Sequence, residues 1–341
     1  MYFADRTRYI VLTLSVICFT LIFANSVALN FTIICMDDNG SDSHLGTPMN
    51  SSHGSHWHHS STHVNSLFSA IAIGCLIGTI PSTYIIHKLG LWNVSPTELQ
   101  KITSDKQVQR KESIPYGAII KDPCILAVWL AASGGNLGFQ VFVLYGPTYI
   151  NKVLHFNVTS TGFVTALPHI LSAALKFVVG PISDRATFVS GRWRLLFFAT
   201  CSQGMVVLSL LLLAFVTNPT VDQIAYTAAI VFSGINVVGV VKCAQLVARQ
   251  HAHFVMAVMS FHLCIIILFV PIAVSIVCPD NTPEQWSNLF FGISVIVVVA
   301  NVPFAFLASS EPAPWTAMNQ RSDNHDSGLD YRSKRNSESQ E

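Results

Sequence analysis

Six polar side chains stand inside otherwise apolar runs of this sequence: Asn136, Gln140, His169, Lys176, Asn236 and His262. Carboxamides both donate and accept hydrogen bonds, a lysine neutralises an anion, and an imidazole exchanges a proton near neutral pH. Polar groups deep in apolar surroundings are costly, so each is a candidate for a binding site. Each also has a structural reading. Asn136 and Gln140, at i and i+4, share a helix face. Gly134, Gly135 and Gly138 beside them suit either a solute-facing patch or close helix packing with hydrogen-bonded side chains. His169 and Lys176 are seven apart and face the same way. Lys176 can pair with an anion or snorkel to a polar boundary about 9 Å away. His262, near the middle of its run, can handle a proton or pack as a hydrogen-bonded histidine. Asn236 can bind a solute or bond a neighbouring helix.

The elements that must position these residues are long apolar runs. Hydrophobic residues make up 51% of the 341-residue chain and charged residues 11%, against about 25% charged in a typical soluble protein. The mean hydropathy is +0.49. Eight runs, at 10–35, 66–86, 124–147, 161–181, 195–216, 223–241, 254–277 and 287–308, are long enough to cross a bilayer. The run at 223–241 is the weakest, being short and holding Asn236. No charge falls between Tyr9 and Met36, too long a stretch for a signal-peptide core, so the first run reads as a retained helix. The expected fold is therefore an all-α multi-pass membrane protein of eight spans.

Charge placement orients it. With a cytoplasmic N-terminus, all of the 19 Lys and Arg except Lys152 and Lys176 fall on the inner side, which puts the C-terminus there too. Sequons at Asn39, Asn50 and Asn157 fall outside and are expected to carry glycans. The chain then divides into residues 1–90 with two spans, an inner loop over 91–122, six spans over 123–308 and a polar tail over 309–341 that reads as disordered. Within the inner loop, Ser95-Pro-Thr-Glu98 reads as a capping box opening a short surface helix to about Lys111.

The remaining signals are weaker. Cys35 and Cys278 lie near the outer surface and can pair or act as apolar filler. The outer loop HGSHWHHSSTH, with His53, His56, His58, His59 and His63 and with His44 upstream, is of a composition that can hold zinc or copper. Its spacing describes no built site. No nucleophile triad, phosphate loop or carboxylate pair stands out, so no enzyme is expected, and no cofactor, metal or nucleic-acid partner with it. A net charge of +1 says nothing further about partners.

The segment GPISDRATFVSGRWR, Gly180 to Arg194, concentrates charge between two apolar runs. It suits a charged inner loop. Its Gly180, Asp184, Arg185 and Arg192 spacing also resembles the gating-loop signature of the major facilitator superfamily. More of the chain resembles one of its branches, the sodium/phosphate and organic-anion cotransporter family that includes sialin and the vesicular glutamate transporters. The stretches are Ile114-Pro115 with Trp129, Gly146-Pro147-Thr148-Tyr149-Ile150, Ala166-Leu167-Pro168-His169 running to Gly180 and Asp184, Glu284-x-Trp286, and Ala308-Ser309-Ser310-Glu311-Pro312 with Pro314-Trp315. They cover residues 114–316 in order. Residues 23–30 and 78–90 resemble the family's first two helices, with Ser26 where the family usually has an arginine. Helices three to six of the family have no counterpart here, nor does the first copy of the gating loop.

The resemblance implies a complete second six-helix half, a shortened first half, and a substrate site at mid-membrane. It implies transport of a small organic anion or phosphate coupled to sodium or protons, in the plasma membrane or an intracellular vesicle or lysosome. A half lacking its partner wall suits pairing of two chains as a homodimer. It suits equally a truncated, non-transporting or regulatory isoform, and the His-rich loop leaves a metal-binding membrane protein as a third alternative.

Overall fold

A computed structural model describes residues 114–185, 190–216 and 218–316, with scattered positions within 13–28 and 69–77 that are helical. All regular structure among the described residues is helical. A short α1 (Tyr116–Lys121) leads into α2 (Pro123–Lys152), α3 (Val158–Arg185) and α4 (Gly191–Phe215). Then come α5 (Pro219–Ser233), a π-helical turn (Val237–Val241), α6 (Lys242–Ala248), a 3-10 turn (Arg249–His251), α7 (Ala252–Val277) and α8 (Pro283–Leu307).

One local rule starts three of these helices: a capping side chain followed by proline. Proline at the first helical position has no N–H to leave unpaired, and the residue before it caps the exposed donors. Asp122 accepts from the amides of Cys124 and Ile125 at 2.8 and 3.3 Å. Asn218 accepts from Thr220 at 3.0 Å. Thr282 and Gln285 form a reciprocal capping box around Pro283 and Glu284. The helix from Val158 starts on the Asn157 side chain, which accepts from the Ser160 amide at 2.8 Å. Asn157 is exposed.

Among the described residues five helical segments are long and apolar enough to cross a membrane, and one of them runs unbroken in composition from Pro219 to Val277, 59 residues. A straight helix of that length would be about 90 Å long, three times a bilayer's apolar core. The chain solves this by reversing at Arg249, whose backbone sits at φ 41. Two buried clusters show the reversal. One holds Phe142, Tyr149, Leu210, Tyr226, Val274, Trp286 and Phe290. The other holds Ile125, Trp129, Leu195, Val247, Val255, Phe304 and Trp315. The first cluster lies at the Trp286 end and the second at the Trp315 end. Helices α2, α4 and α7 run from the Trp315 end to the Trp286 end. Helix α3, the α5–α6 leg and α8 return.

The six expected runs from residue 124 onward match these legs to within a few residues, with one correction, while the runs at 10–35 and 66–86 lie largely outside the described residues. The weak run at 223–241 is the middle of a longer leg, Pro219 to Ala248, because neither Asn236 nor Lys242 stops the helix. The surface helix expected from Ser95, the His-rich loop, Cys35, Asn39 and Asn50 lie outside the described residues. Cys278 carries a free, buried thiol that burial pushes up to about 12. The thiolate is the reactive form. Maleimide is therefore expected to spare Cys278 at neutral pH while the protein is folded, and labelling should keep accelerating with pH well past the roughly pH 8.5 midpoint of an ordinary thiol. Rapid labelling at pH 7 would contradict the burial.

Arg249 itself is exposed, and its φ 41, ψ −112 is a backbone state that a side chain disfavours. Such strain is worth about 1–3 kcal/mol. Arg249→Gly removes it, and the variant is expected to melt higher than wild type in detergent. A lower melting temperature would show that the arginine side chain is itself a structural contact.

Candidate functional site

Between the two apolar clusters lies a polar level built around two glycines. Helix α2 presents Gly135 as a notch. A β-carbon placed there would lie 2.7 Å from Asn236 Nδ2 and closer still to Gln203 Nε2. The amides of α4 and of the residue leading into the π turn therefore meet on α2's backbone. Gln203 is 4% exposed, and neither its Nε2 and Oε1 nor Asn236 Oδ1 has a hydrogen-bond partner among the described residues. Gly234 is a second notch. A β-carbon there would lie 2.7 Å from Lys176 Cε and closer to Ser172 Oγ. Lys176 is exposed overall, yet its stem lies across the point where α5 gives way to the π turn. Lys176 of α3 thus meets the α5–α6 leg at Gly234, and Asn236, two residues further along that leg, meets α2 at Gly135.

The leg is discontinuous at that place. Regular α-helix ends at Ser233 and resumes at Lys242, with the π turn between. Ser202 Oγ of α4 donates to the Phe232 carbonyl at 2.7 Å, satisfying backbone near the break. π-helical turns occur frequently at functional sites, and broken helices line the substrate sites of membrane transporters.

Asn136 and Gln140 are half-buried on α2, on the same face as Ser133. Ser133 Oγ donates to the Trp129 carbonyl at 2.8 Å, so its hydroxyl hydrogen is used there. His262 Nδ1 lies 3.2 Å from the same Ser133 hydroxyl, within hydrogen-bond distance. The ring stands edge-on to Trp129 at 6.3 Å. His169 Nδ1 donates to the Thr165 carbonyl at 2.9 Å, and its ring centre is 6.4 Å from that of Phe139. Asn136 and Gln140 thus lie along α2 between histidines of α7 and α3.

The gating-loop residues divide. Arg192 Nη2 donates to the Phe306 carbonyl at 2.9 Å, tying the start of α4 to the last turn of α8. Gly191 lies against Ser310, whose Cβ would stand 2.9 Å from an added methyl. At Gly180 nothing among the described residues lies within 4 Å of an added β-carbon. Arg185 is exposed, and the Asp184 side chain lies outside what the structure describes.

Just below this loop, Asp122 Oδ2 accepts from Trp315 Nε1 at 2.7 Å, while Oδ1 caps α2. The Ala313 amide donates to Val247, and Gln250 Nε2 donates to the Thr316 carbonyl at 2.9 Å. The segment after α8 therefore stitches the ends of α2, α6 and α8 together. No group of His, Cys, Asp and Glu suited to a metal ion forms among the described residues.

Gln203 and Ser172 did not stand out in the sequence, although Gln203 lies mid-run, where the cost of a buried amide should have marked it. Asp222 was hidden for a different reason: it falls one residue before the run expected at 223–241.

The sequence pattern of the Major Facilitator Superfamily is matched over residues 61–271, more than half of the chain. The chain belongs to the Major Facilitator Superfamily. Among curated relatives of this superfamily member, Uncharacterized transporter slc-17.3 of Caenorhabditis elegans is 28% identical over 220 residues, 62% of this chain and 41% of the relative. Human sialin is 23% identical over 233 residues, 64% of this chain and 45% of sialin. Human Sodium-dependent phosphate transport protein 1 is 33% identical over 97 residues, 27% of this chain and 20% of that protein. These names fall in the cotransporter family that the sequence resembles. The matched regions span less than half the length of each of these curated relatives.

Proposed function

We propose that this superfamily member belongs to a membrane transporter of small organic anions or phosphate, driven by sodium or protons. Its substrate contacts are Lys176, Asn236, Asn136, Gln140, His169 and His262, with Gln203 added from the fold. One observation carries the reading: at the break in the α5–α6 leg a lysine stem lies on Gly234, and two amides with buried, unpartnered oxygens lie on Gly135. A buried amide without a partner costs about 1–3 kcal/mol, which a polar guest would offset, and the lysine gives that guest a negative charge.

The test is uptake by proteoliposomes of radiolabelled phosphate and of an organic carboxylate, under an imposed sodium or proton gradient. Lys176→Ala is expected to reduce uptake roughly tenfold or more, the loss of one charge-assisted bond of about 1.5–3 kcal/mol. Uptake unchanged by Lys176→Ala and Gln203→Ala together would overturn the site. The incomplete coverage of the relatives favours a second reading, a non-transporting or regulatory chain that pairs with itself or a longer relative. No uptake under any gradient, with a stable complex on size exclusion, would support it.

The arrangement we favour has two spans before Gly90, six from residue 123, and both termini in the cytoplasm. It places the loop between α2 and α3 outside the membrane. A single glycan at Asn157 is then expected, attached to Nδ2 while Oδ1 keeps its helix-capping role. Asn157→Gln should remove one glycosidase-sensitive step in gel mobility. A wild-type chain in which Asn157 carries no glycan after passage through the secretory pathway would argue for the reverse orientation.

A further inference from the structure

We propose that Asp222 is a proton-binding carboxyl at the Trp286 end of the bundle, beside the aromatic cluster that holds Tyr226 and Trp286. Asp222 lies in the first turn of α5 and is 5% exposed. Its Oδ1 is buried and meets no donor among the described residues. Tyr226 follows at i+4, on the same helix face. Its side chain is fully buried, and its hydroxyl is also without a partner. Trp286 of α8 belongs to the same apolar cluster, is 1% exposed, and its indole N–H finds no acceptor. Tyr149 of α2 belongs to the same cluster and stands edge-on to Trp286 at 5.5 Å between ring centres.

Native interiors satisfy nearly all buried polar groups, and each exception asks for an explanation. Here three orphaned groups share one aromatic core. A metal cation does not fit, because the indole can only donate and no second carboxylate is buried at this end among the described residues. A proton does fit. A protonated carboxyl donates to one neighbour and accepts from another, whereas the ionised form only accepts. Gain or loss of that proton changes which of Tyr226 and Trp286 can be satisfied, and so changes the packing of α5 on its neighbours.

Among the described residues, other titratable groups at this end are few. Tyr145 and Tyr149 on α2 and Cys278 after α7 are buried, while Lys152, His155, Asp280 and Glu284 are exposed. Helices α3 and α4 bring none to this end among the described residues. Proton binding does not depend on the transport reading; a role as the coupling ion does.

The experiment is infrared difference spectroscopy of the full chain in nanodiscs, between roughly pH 4 and pH 8. Wild type is expected to show the carboxyl band of one acid shielded from water. Asp222→Asn should lack the band, and Asp222→Glu should restore it at a shifted frequency. Tyr226→Phe should move it by removing a hydrogen-bond partner. The same band in wild type and Asp222→Asn would overturn the proposal. Should Asp222→Asn fail to fold, a band unmoved by Tyr226→Phe would overturn it instead. In liposomes, loss of proton-driven uptake in Asp222→Asn would add the coupling role. A normal band with no uptake in any form would leave the proton site standing and count against transport alone.

Discussion

Gly239→Ala is expected to destabilise the bundle more than one methyl group ordinarily can. The added carbon would stand 2.6, 2.8 and 2.7 Å from the N, Cα and Cβ of Ala199. Two of these are backbone atoms of α4, which cannot rotate aside as a long side chain would. Overpacking a core typically costs about 1–3 kcal/mol, and a clash with helix backbone belongs at the upper end or beyond. Alanine's helix propensity returns at most about 1 kcal/mol. The net loss should be at least about 2 kcal/mol, read as a clear fall in melting temperature in detergent. The control is Gly180→Ala. Nothing lies within 4 Å of that position, so the propensity gain should stand alone and the variant should melt at or above wild type. Equal melting of Gly239→Ala and wild type would mean that the π turn and α4 are not in the contact described.

The second large effect is expected at Asp122, whose two carboxylate oxygens hold different things. Oδ1 caps α2 and Oδ2 receives the Trp315 indole. Asp122→Ala removes a cap worth about 1 kcal/mol and a hydrogen bond to a charged acceptor worth about 1.5–3 kcal/mol. It also leaves the indole of Trp315, 6% exposed, without its acceptor. The sum is about 3 kcal/mol. Trp315→Phe should show only the bond and the packing difference, and Asp122→Ala on that background should show only the cap. A double-mutant cycle on melting temperatures checks the split. Strict additivity of the two changes would mean that the indole and the carboxylate are not coupled.

The legs of the bundle were legible because apolar length is a direct physical requirement, and Asp122-Pro123, Asn218-Pro219 and Thr282-Pro283 announce their own helix starts. The site was only half legible. Lys176 and Asn236 are isolated polar residues in apolar runs, and that marks them without saying what they touch. Their contacts at Gly234 and Gly135 exist only once α2, α3 and the α5–α6 leg are crossed against one another. The long segment from Pro219 to Val277 shows the same limit. Its reversal at Arg249 relies on a backbone state that no proline or glycine signals. Gly180 gives the contrast: among the described residues nothing lies within 4 Å of a β-carbon added there, so no close contact could be read from the glycine alone.

The π turn at Val237–Val241 also acts as a phase shifter. It holds one residue more than a regular α-helix would over the same rise, so everything after it is rotated by about 100° relative to an uninterrupted helix. Cys243, Val247 and Ala248 face the Trp315 cluster only because of that offset. Deleting a single valine here would let the leg close into regular helix and turn those residues away from their partners. A deletion of the same size in a loop would be absorbed. The residue that a sequence comparison would count as a trivial gap is, at this point, the one that sets the register of half a helix.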